Sequence, residues 1–310
     1  MKNNGWILRE SKAHRDGLTG TGKPRFKYTF RYFDEKTGAM IRDTVFIERA
    51  SKLRIPPAYH DVHINKDSNA KLQAYGYDDK GRKQYIYHAD FIKKQTDAKF
   101  ERMKLLDNTI ARIWKDINRS LKLPNKELTK GISVILYLLI ECNFRIGSER
   151  YAKEHEHYGL TTLMTHHLTV RKDGCVFISF VGKKGVVNEG ICNNPHVVEY
   201  LRYMKRRKKH DDPLFTYGNN DVPINASDVN NFIKNYDESL VCKDIRTWRA
   251  NQLFLDAMEL PDVLNSNNPE KAALKIVAEM LHNTPAVCKT SYVHPQLIET
   301  ACKPPRNSTK

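Results

Sequence analysis

A tyrosine, two arginines and a lysine, far apart in the chain, together carry what is needed to attack a phosphodiester. Tyr292 lies in LHNTPAVCKTSYVHP, residues 281 to 295, preceded by the pair His282 and Asn283. Arg145 follows a long apolar run in CNFRIGSERY, Arg246 lies in KDIRTWRA, and Lys183 and Lys184 stand together in FVGKKG. A tyrosine oxygen attacking phosphorus builds a pentacoordinate, doubly charged transition state. Planar guanidiniums clamp its nonbridging oxygens with paired donors better than ammonium groups do. A donor from His282 or Asn283 adds a bond where charge develops. The departing alkoxide needs an acid, which a lysine on a mobile hairpin supplies. Each residue alone also has an ordinary explanation: an arginine at a helix end, a lysine in a turn, a half-buried aromatic.

The elements that must position these groups are legible from periodicity. Phe26, Tyr28, Phe30 and Tyr32 alternate and place four rings on one face of a strand. A turn at Glu35–Gly38 and a following strand to Ile47 are expected, with a second hairpin turning at Asp78–Gly81. Phe100, Met103, Leu106, Ile110, Ile113, Ile117 and Leu121 mark a long amphipathic helix from Thr96, stopped by Pro124. Residues 132–142 are apolar all round and predict a buried helix. GCVFISFVGKKGVVN predicts a hairpin turning at Gly182–Gly185, and most of the remainder reads as helical. The fold class is therefore α+β: a β-rich domain over residues 1–93 and a larger, mostly helical domain over 94–310.

Bulk properties bound the function. The chain has 310 residues, 28% of them charged, with a net charge of +16 and a pI near 9.5. Such a surplus favours a polyanionic partner, nucleic acid first. No apolar run approaches a bilayer span and the N-terminus has no signal core, so an intracellular protein without a membrane partner is expected. Six scattered cysteines (142, 175, 192, 242, 288 and 302) form no CxxC pair, which fits a reducing compartment. GLTGTGK (17 to 23) has the spacing of a phosphate loop but is followed by Pro24 and a strand, so a Gly-rich turn is expected. The histidines of EHEH (154 to 157) and His166–His167 lack zinc-helix spacing and read as surface residues, and KRRKKH (205 to 210) as a charged helix end or phosphate patch.

At these residues the chain resembles type IB DNA topoisomerases of the compact poxvirus, giant-virus and bacterial kind. RIPPAYHDVHI, YGYDDKGRKQYIYHADF, CNFRIGSERY, YGLTTL, FVGKKG, KDIRTWRA and TPAVCKTSYVHP occur in family order across nearly the whole chain. The resemblance implies a two-domain clamp around duplex DNA, a monomer that needs no metal, ATP or other cofactor. It makes Tyr292 the nucleophile that joins a 3′ phosphate, Arg145 and Arg246 the catalytic arginines, and Lys183 the general acid. It places Gln84, Tyr85 and Tyr87 on DNA from the first domain, and Arg150 and Tyr151 on a helix entering the major groove. The family's poxvirus pattern has a histidine immediately before Thr-Pro; that position is Asn283 here. A helix turns about 100° per residue, so His282 cannot take over the direction, and Asn283 is the expected phosphate donor. The resemblance implies relaxation of supercoils inside a bacterial cytoplasm and nucleoid, or in a virion or viral factory. Tyrosine recombinases share the Arg, Lys, Arg, Tyr set, but Lys243 stands where their HxxR histidine would. A non-catalytic duplex-binding protein is the remaining alternative.

Overall fold

The structure, a computed structural model, describes residues 5–301, so Met1–Asn4 and Cys302 lie outside it. The chain divides into two compact units, Met1–Ala98 and Lys99–Lys310. In the first unit β1 (Trp6–Leu18), β2 (Pro24–Asp34), β3 (His60–Asn65), β4 (Leu72–Tyr77) and β5 (Lys83–Tyr87) form an antiparallel sheet in the order β2-β1-β3-β4-β5. Ile7, Val62, Ile64 and Ala74 line its inner face, which is covered by α1 (Thr44–Lys52) through Phe46, Ala50 and Leu53. The Arg9 guanidinium on that face donates to the carbonyls of Ile55, Pro56 and Tyr59 at 2.9–3.0 Å, tying down the segment after α1.

One expectation is corrected here. The strand expected to run to Ile47 is helix α1, and only Met40 keeps a bridge, to Phe33. Asp43 Oδ1 accepts from the Val45 N–H at 2.9 Å and caps the helix. Phe46, Ala50 and Leu53 then fall at helical spacing, so a cap and a buried stripe override the β preference of Thr-Val-Phe-Ile. The alternating rings do sit on one strand, β2, but Tyr32 alone is buried, while Phe26 is 50% exposed. GLTGTGK is the β1–β2 turn, where Gly17 and Gly22 take positive φ and Gly22 N–H donates to the Thr19 carbonyl. The turn at Asp78–Gly81 forms as expected, with Gly81 at φ +70°.

The amphipathic stripe forms α2 (Ala89–Ser120), which starts earlier than its periodicity indicates. Then follow α3 (Leu128–Glu141), buried nearly all round, and α4 (Glu149–His155). A three-stranded sheet is built from β6 (Leu168–Val170), β7 (Val176–Val181) and β8 (Val187–Cys192). After α5 (Pro195–Arg207) a small hairpin, β9 (Thr216–Tyr217) and β10 (Val222–Pro223), leads to α6 (Ala226–Lys234) and α7 (Cys242–Met258). The chain finishes through α8 (Pro261–Leu264), α9 (Pro269–Met280), α10 (Pro285–Ser291) and α11 (Pro295–Ala301). One core surrounds α3; another joins α7 and α9 to Cys288, Val293 and Ile298. No helix among the described residues is long and apolar enough to cross a membrane.

Removing the α1 cap by Asp43→Ala is expected to cost about 1 kcal/mol. Native-state hydrogen exchange should show faster exchange of the α1 amides, with protection in α3 unchanged.

Candidate active site

Arg145 is held by close backbone packing. After α3 the chain reverses at Asn143, whose φ is +54°, and buries Phe144 against Phe180 of β7 at 5.0 Å. The next residues pair with the segment at 160: Leu160 N–H donates to the Arg145 carbonyl at 2.9 Å, and Thr161 donates to the Ile146 carbonyl through N–H and Oγ1. Two glycines make this approach feasible. A Cβ on Gly159 would fall 2.5 Å from Gly147 Cα and 2.7 Å from the Arg145 carbonyl oxygen, and Gly147 itself has φ +101°.

Arg246 sits in the first turns of α7 and is 3% exposed. Asp244 anchors that end of the helix, accepting from Val241 N–H and from Arg102 Nε, each at 3.1 Å. Arg246 Nη2 donates to the Leu281 carbonyl at the end of α9. Burial, then the neighbouring charge of Arg145, pulls the Arg246 guanidinium down to about 10, which leaves it a cation at neutral pH.

The Leu281 end of α9 also settles the geometry of the His-Asn pair. His282 N–H donates to the Glu279 carbonyl and Asn283 N–H to the Ala278 carbonyl, the two bonds of a Schellman end. His282 therefore occupies the left-handed position, φ +48°, which glycine ordinarily fills; the strain is on the order of 1–2 kcal/mol. Its ring lies over Phe144 with centroids 5.8 Å apart and bonds to the Cys142 backbone. Burial, then Arg246 and Arg145, pushes its pKa below the ordinary value, so the imidazole is neutral at pH 7. Asn283, one residue on, is directed at Tyr292.

Tyr292 ends α10, whose start is set by Thr284 as cap and Pro285 in the first turn. Asn251 of α7 grips the backbone just after the tyrosine: its Nδ2 donates to the Tyr292 carbonyl at 3.1 Å, and its Oδ1 accepts from His294 N–H at 2.8 Å. Lys99 Nζ donates to the Ser291 carbonyl at 3.1 Å. The phenol is half-buried, with the Arg246 guanidinium carbon 5.7 Å from its ring centroid. Burial by itself raises the Tyr292 pKa. The charges of Arg246 and Arg145, with the donors of Arg246 and Asn283 close by, outweigh it and leave the phenol below its usual range.

Around this phenol Arg145 Nη1, Arg246 Nε and Nη1, and Asn283 Nδ2 are buried without a well-formed hydrogen bond. An unpaired buried donor costs about 1–3 kcal/mol, more when charged. Four of them beside one acidified phenol describe a receptor for an anion with several oxygens, and a phosphodiester supplies those oxygens next to an electrophilic phosphorus.

The other expected residues lie elsewhere. Lys183 and Lys184 form the exposed tip of the β7–β8 hairpin, with no hydrogen bond or ion pair to the Tyr292 cluster among the described residues. The tip is shaped by Gly182 N–H donating to the Val186 carbonyl at 2.7 Å, and by buried Asn188, whose amide fills the space beside Gly182. On β5, Tyr85 and Tyr87 are exposed, whereas Gln84 points to the other face and donates to Asp78 at 3.0 Å. On α4, Arg150 pairs with Glu154 at 3.0 Å and Tyr151 is 54% exposed. KRRKKH is the basic end of α5, where Arg207 pairs with Asp221. His166 and His210 both approach Asp211, a cluster of exposed groups whose mutual hydrogen bonds account for it.

A family model described as the catalytic core of eukaryotic DNA topoisomerase I matches residues 88–306, and one described as the N-terminal domain of bacterial DNA topoisomerase IB matches residues 29–78. The chain belongs to the type IB DNA topoisomerases. The DNA topoisomerase 1B of Acanthamoeba polyphaga mimivirus is 31% identical over 282 residues, covering 86% of this chain and 82% of that protein. That of Vaccinia virus (strain Western Reserve) is 26% identical over 286 residues, covering 85% and 88%. The DNA topoisomerase 1 of Mycosarcoma maydis is 25% identical over 217 residues, covering 63% of this chain and 21% of its own length.

Sequence reasoning missed the residues that position this topoisomerase's tyrosine and Arg145. Asn251 is a polar residue in mid-helix with no periodic signature, and Lys99 is one of many lysines. Gly147 and Gly159 were visible as glycines, but their mutual contact is a tertiary fact.

Three outcomes are expected. Asn251→Ala should slow single-turnover cleavage about a hundredfold by loosening the tyrosine, while substrate binding changes little. The cleavage rate should rise with pH through an apparent pKa below the ordinary phenol value of about 10. Arg145→Ala should move that apparent pKa upward, because a cation favouring the phenolate is lost; an unmoved profile would contradict the electrostatic reading.

Proposed function

We propose that this chain relaxes supercoiled duplex DNA by transient single-strand cleavage and resealing. The observation that carries the reading is the convergence of unpaired buried donors from Arg145, Arg246 and Asn283 on the acidified phenol of Tyr292. Tyr292 Oη attacks a backbone phosphorus, forming a 3′-phosphotyrosyl bond as the bond to the 5′ oxygen breaks. Arg145 and Arg246 neutralise the nonbridging oxygens, and the Asn283 amide donates a further bond without adding charge. Lys183, on its exposed tip, delivers the proton that leaves with the 5′-hydroxyl.

The phosphotyrosine is close in energy to the phosphodiester it replaces, so resealing is the reverse step and torsion in the DNA drives rotation. The protein acts as a monomer on double-stranded DNA inside the cell or viral factory, without ATP, metal or a membrane. Tyr85, Tyr87, Arg150 and Tyr151 serve as contacts to the duplex, while Gln84, on the opposite face of β5, holds the Asp78 turn. The surplus of positive charge makes binding steeply salt-dependent.

Supercoiled plasmid incubated with the protein in chelator, without ATP, should relax, and Tyr292→Phe should abolish relaxation. No relaxation by the parent, or undiminished relaxation by the variant, contradicts the reading. Asn283→Ala should reduce single-turnover cleavage about a hundredfold; a much larger loss in His282→Ala would transfer the donor role to the histidine.

A further inference from the structure

β1 and β2 remain paired well beyond the sheet. β1 meets β3 only over Trp6–Arg9, whereas its pairing with β2 continues out to Leu18 opposite Pro24. Residues 10–18 and 24–31 thus make a two-stranded ribbon roughly 30 Å long by strand rise. Most of it lies outside the N-terminal family match, which starts at residue 29. An isolated two-stranded ribbon is marginal in water, so this one needs an account.

The pairing register says which way its side chains face. Leu8 opposes Phe33 on β2 and His63 on β3. His63 opposes Tyr75 and stacks on it at 4.5 Å, and Tyr75 opposes Tyr85. Directly opposed residues share a face and alternate residues repeat it. The face away from the α1 core therefore runs from Tyr87 and Tyr85 through Tyr75 and His63, and continues along the ribbon as Lys12, His14, Arg25, Lys27 and Arg31. The burial of Ile7, Arg9, Ile64 and Ala74 on the opposite face agrees with this parity. Lys83 adds a cation 3.8 Å from the Tyr75 ring centroid on the same side.

The ribbon's share of this face is basic. Glu10 and Asp16 also lie on it, but Asp16 is paired with Arg25 at 3.1 Å. Lys12, Lys27 and Arg31 are exposed and form no ion pair among the described residues. The reverse face carries Phe26, Tyr28 and Phe30 with Arg15.

We propose that the ribbon is an arm for duplex DNA, with Lys12, Lys27 and Arg31 set against backbone phosphates continuous with the DNA that meets Tyr85 and Tyr87. The proposal rests on the function given above for its partner. Three features select duplex DNA: unpaired cations, continuity with the β5 contact face, and a shape that fits. The major groove, about 12 Å wide, admits a two-stranded ribbon, and the ribbon's length approaches one helical turn of about 34 Å.

The test uses the full chain with Tyr292→Phe, so that binding is read without cleavage, and a fluorescent duplex of roughly 60 base pairs over a range of salt. Adding Lys12→Thr, Lys27→Thr and Arg31→Thr should make the slope of log affinity against log salt shallower by about 2 to 3, since each lost phosphate contact removes about 0.9. Binding near 100 mM salt should weaken about tenfold or more. Phe26→Thr with Phe30→Thr should keep the parent slope. Parent-like slope and affinity in the triple variant overturn the arm. So does loss of binding confined to the aromatic pair, which would make the reverse face the contact. Plasmid relaxation by the chain with Tyr292 intact, together with normal binding by the triple variant, sinks the arm alone; failure of the Tyr292-intact chain to relax plasmid sinks the function reading separately.

Discussion

Two guanidiniums held close to one half-buried phenol are the constraint around which the catalytic unit is organised. Burial alone would keep Tyr292 protonated, and burial alone would make two neighbouring arginines repel and seek solvent. Arg246 is nonetheless 3% exposed and pulled down to about 10, with Arg145's charge acting on it. Such an arrangement is stable only if rigid elements prevent relief. Here those elements are the buried helix α3 behind Arg145, the Gly147–Gly159 contact beneath it, and the anchored start of α7 behind Arg246. The unused donors then await the oxygens of a phosphodiester.

The same logic explains a strained histidine beside a polar asparagine. His282 takes a left-handed conformation so that α9 can end within one turn, and its ring is then absorbed by Phe144 and the Cys142 backbone. Asn283 is thereby aimed at the phenol. A neutral amide at that place supplies a donor without a third positive charge beside two guanidiniums, which would raise their mutual repulsion further. Asn251 completes the positioning by fixing the backbone that follows Tyr292, so the tyrosine is tied to the helix that carries Arg246.

The chemical residues were legible because chemistry restricts residue types: few side chains attack or neutralise a phosphate, and Tyr292, Arg145 and Arg246 meet in the fold. The register before Thr284-Pro285 singled out Asn283 over His282, and the Schellman end of α9 turns the two residues in different directions, His282 onto Phe144 and Asn283 toward Tyr292. Long periodic elements such as α2 and α3 were also legible. Helix α1 was not, because Thr-Val-Phe-Ile has strand preference and its cap, Asp43, is a single-residue signal. The rings of β2 alternate as expected, yet their exposure depends on where β3 stops, which no local pattern encodes. Asn251 and the Gly147–Gly159 contact depend on tertiary proximity alone. Lys183 was placed at a hairpin tip and is found there, exposed.

The most direct test of the account is chemical identification of the covalent intermediate. A nicked duplex whose short 5′-hydroxyl fragment diffuses away after cleavage traps the enzyme on DNA, and digestion followed by mass spectrometry locates the attached residue. The account predicts a single nucleotide-bearing peptide, with the 3′-phosphate ester on Tyr292. An adduct on any other residue, or attachment through a 5′-phosphate, would contradict it.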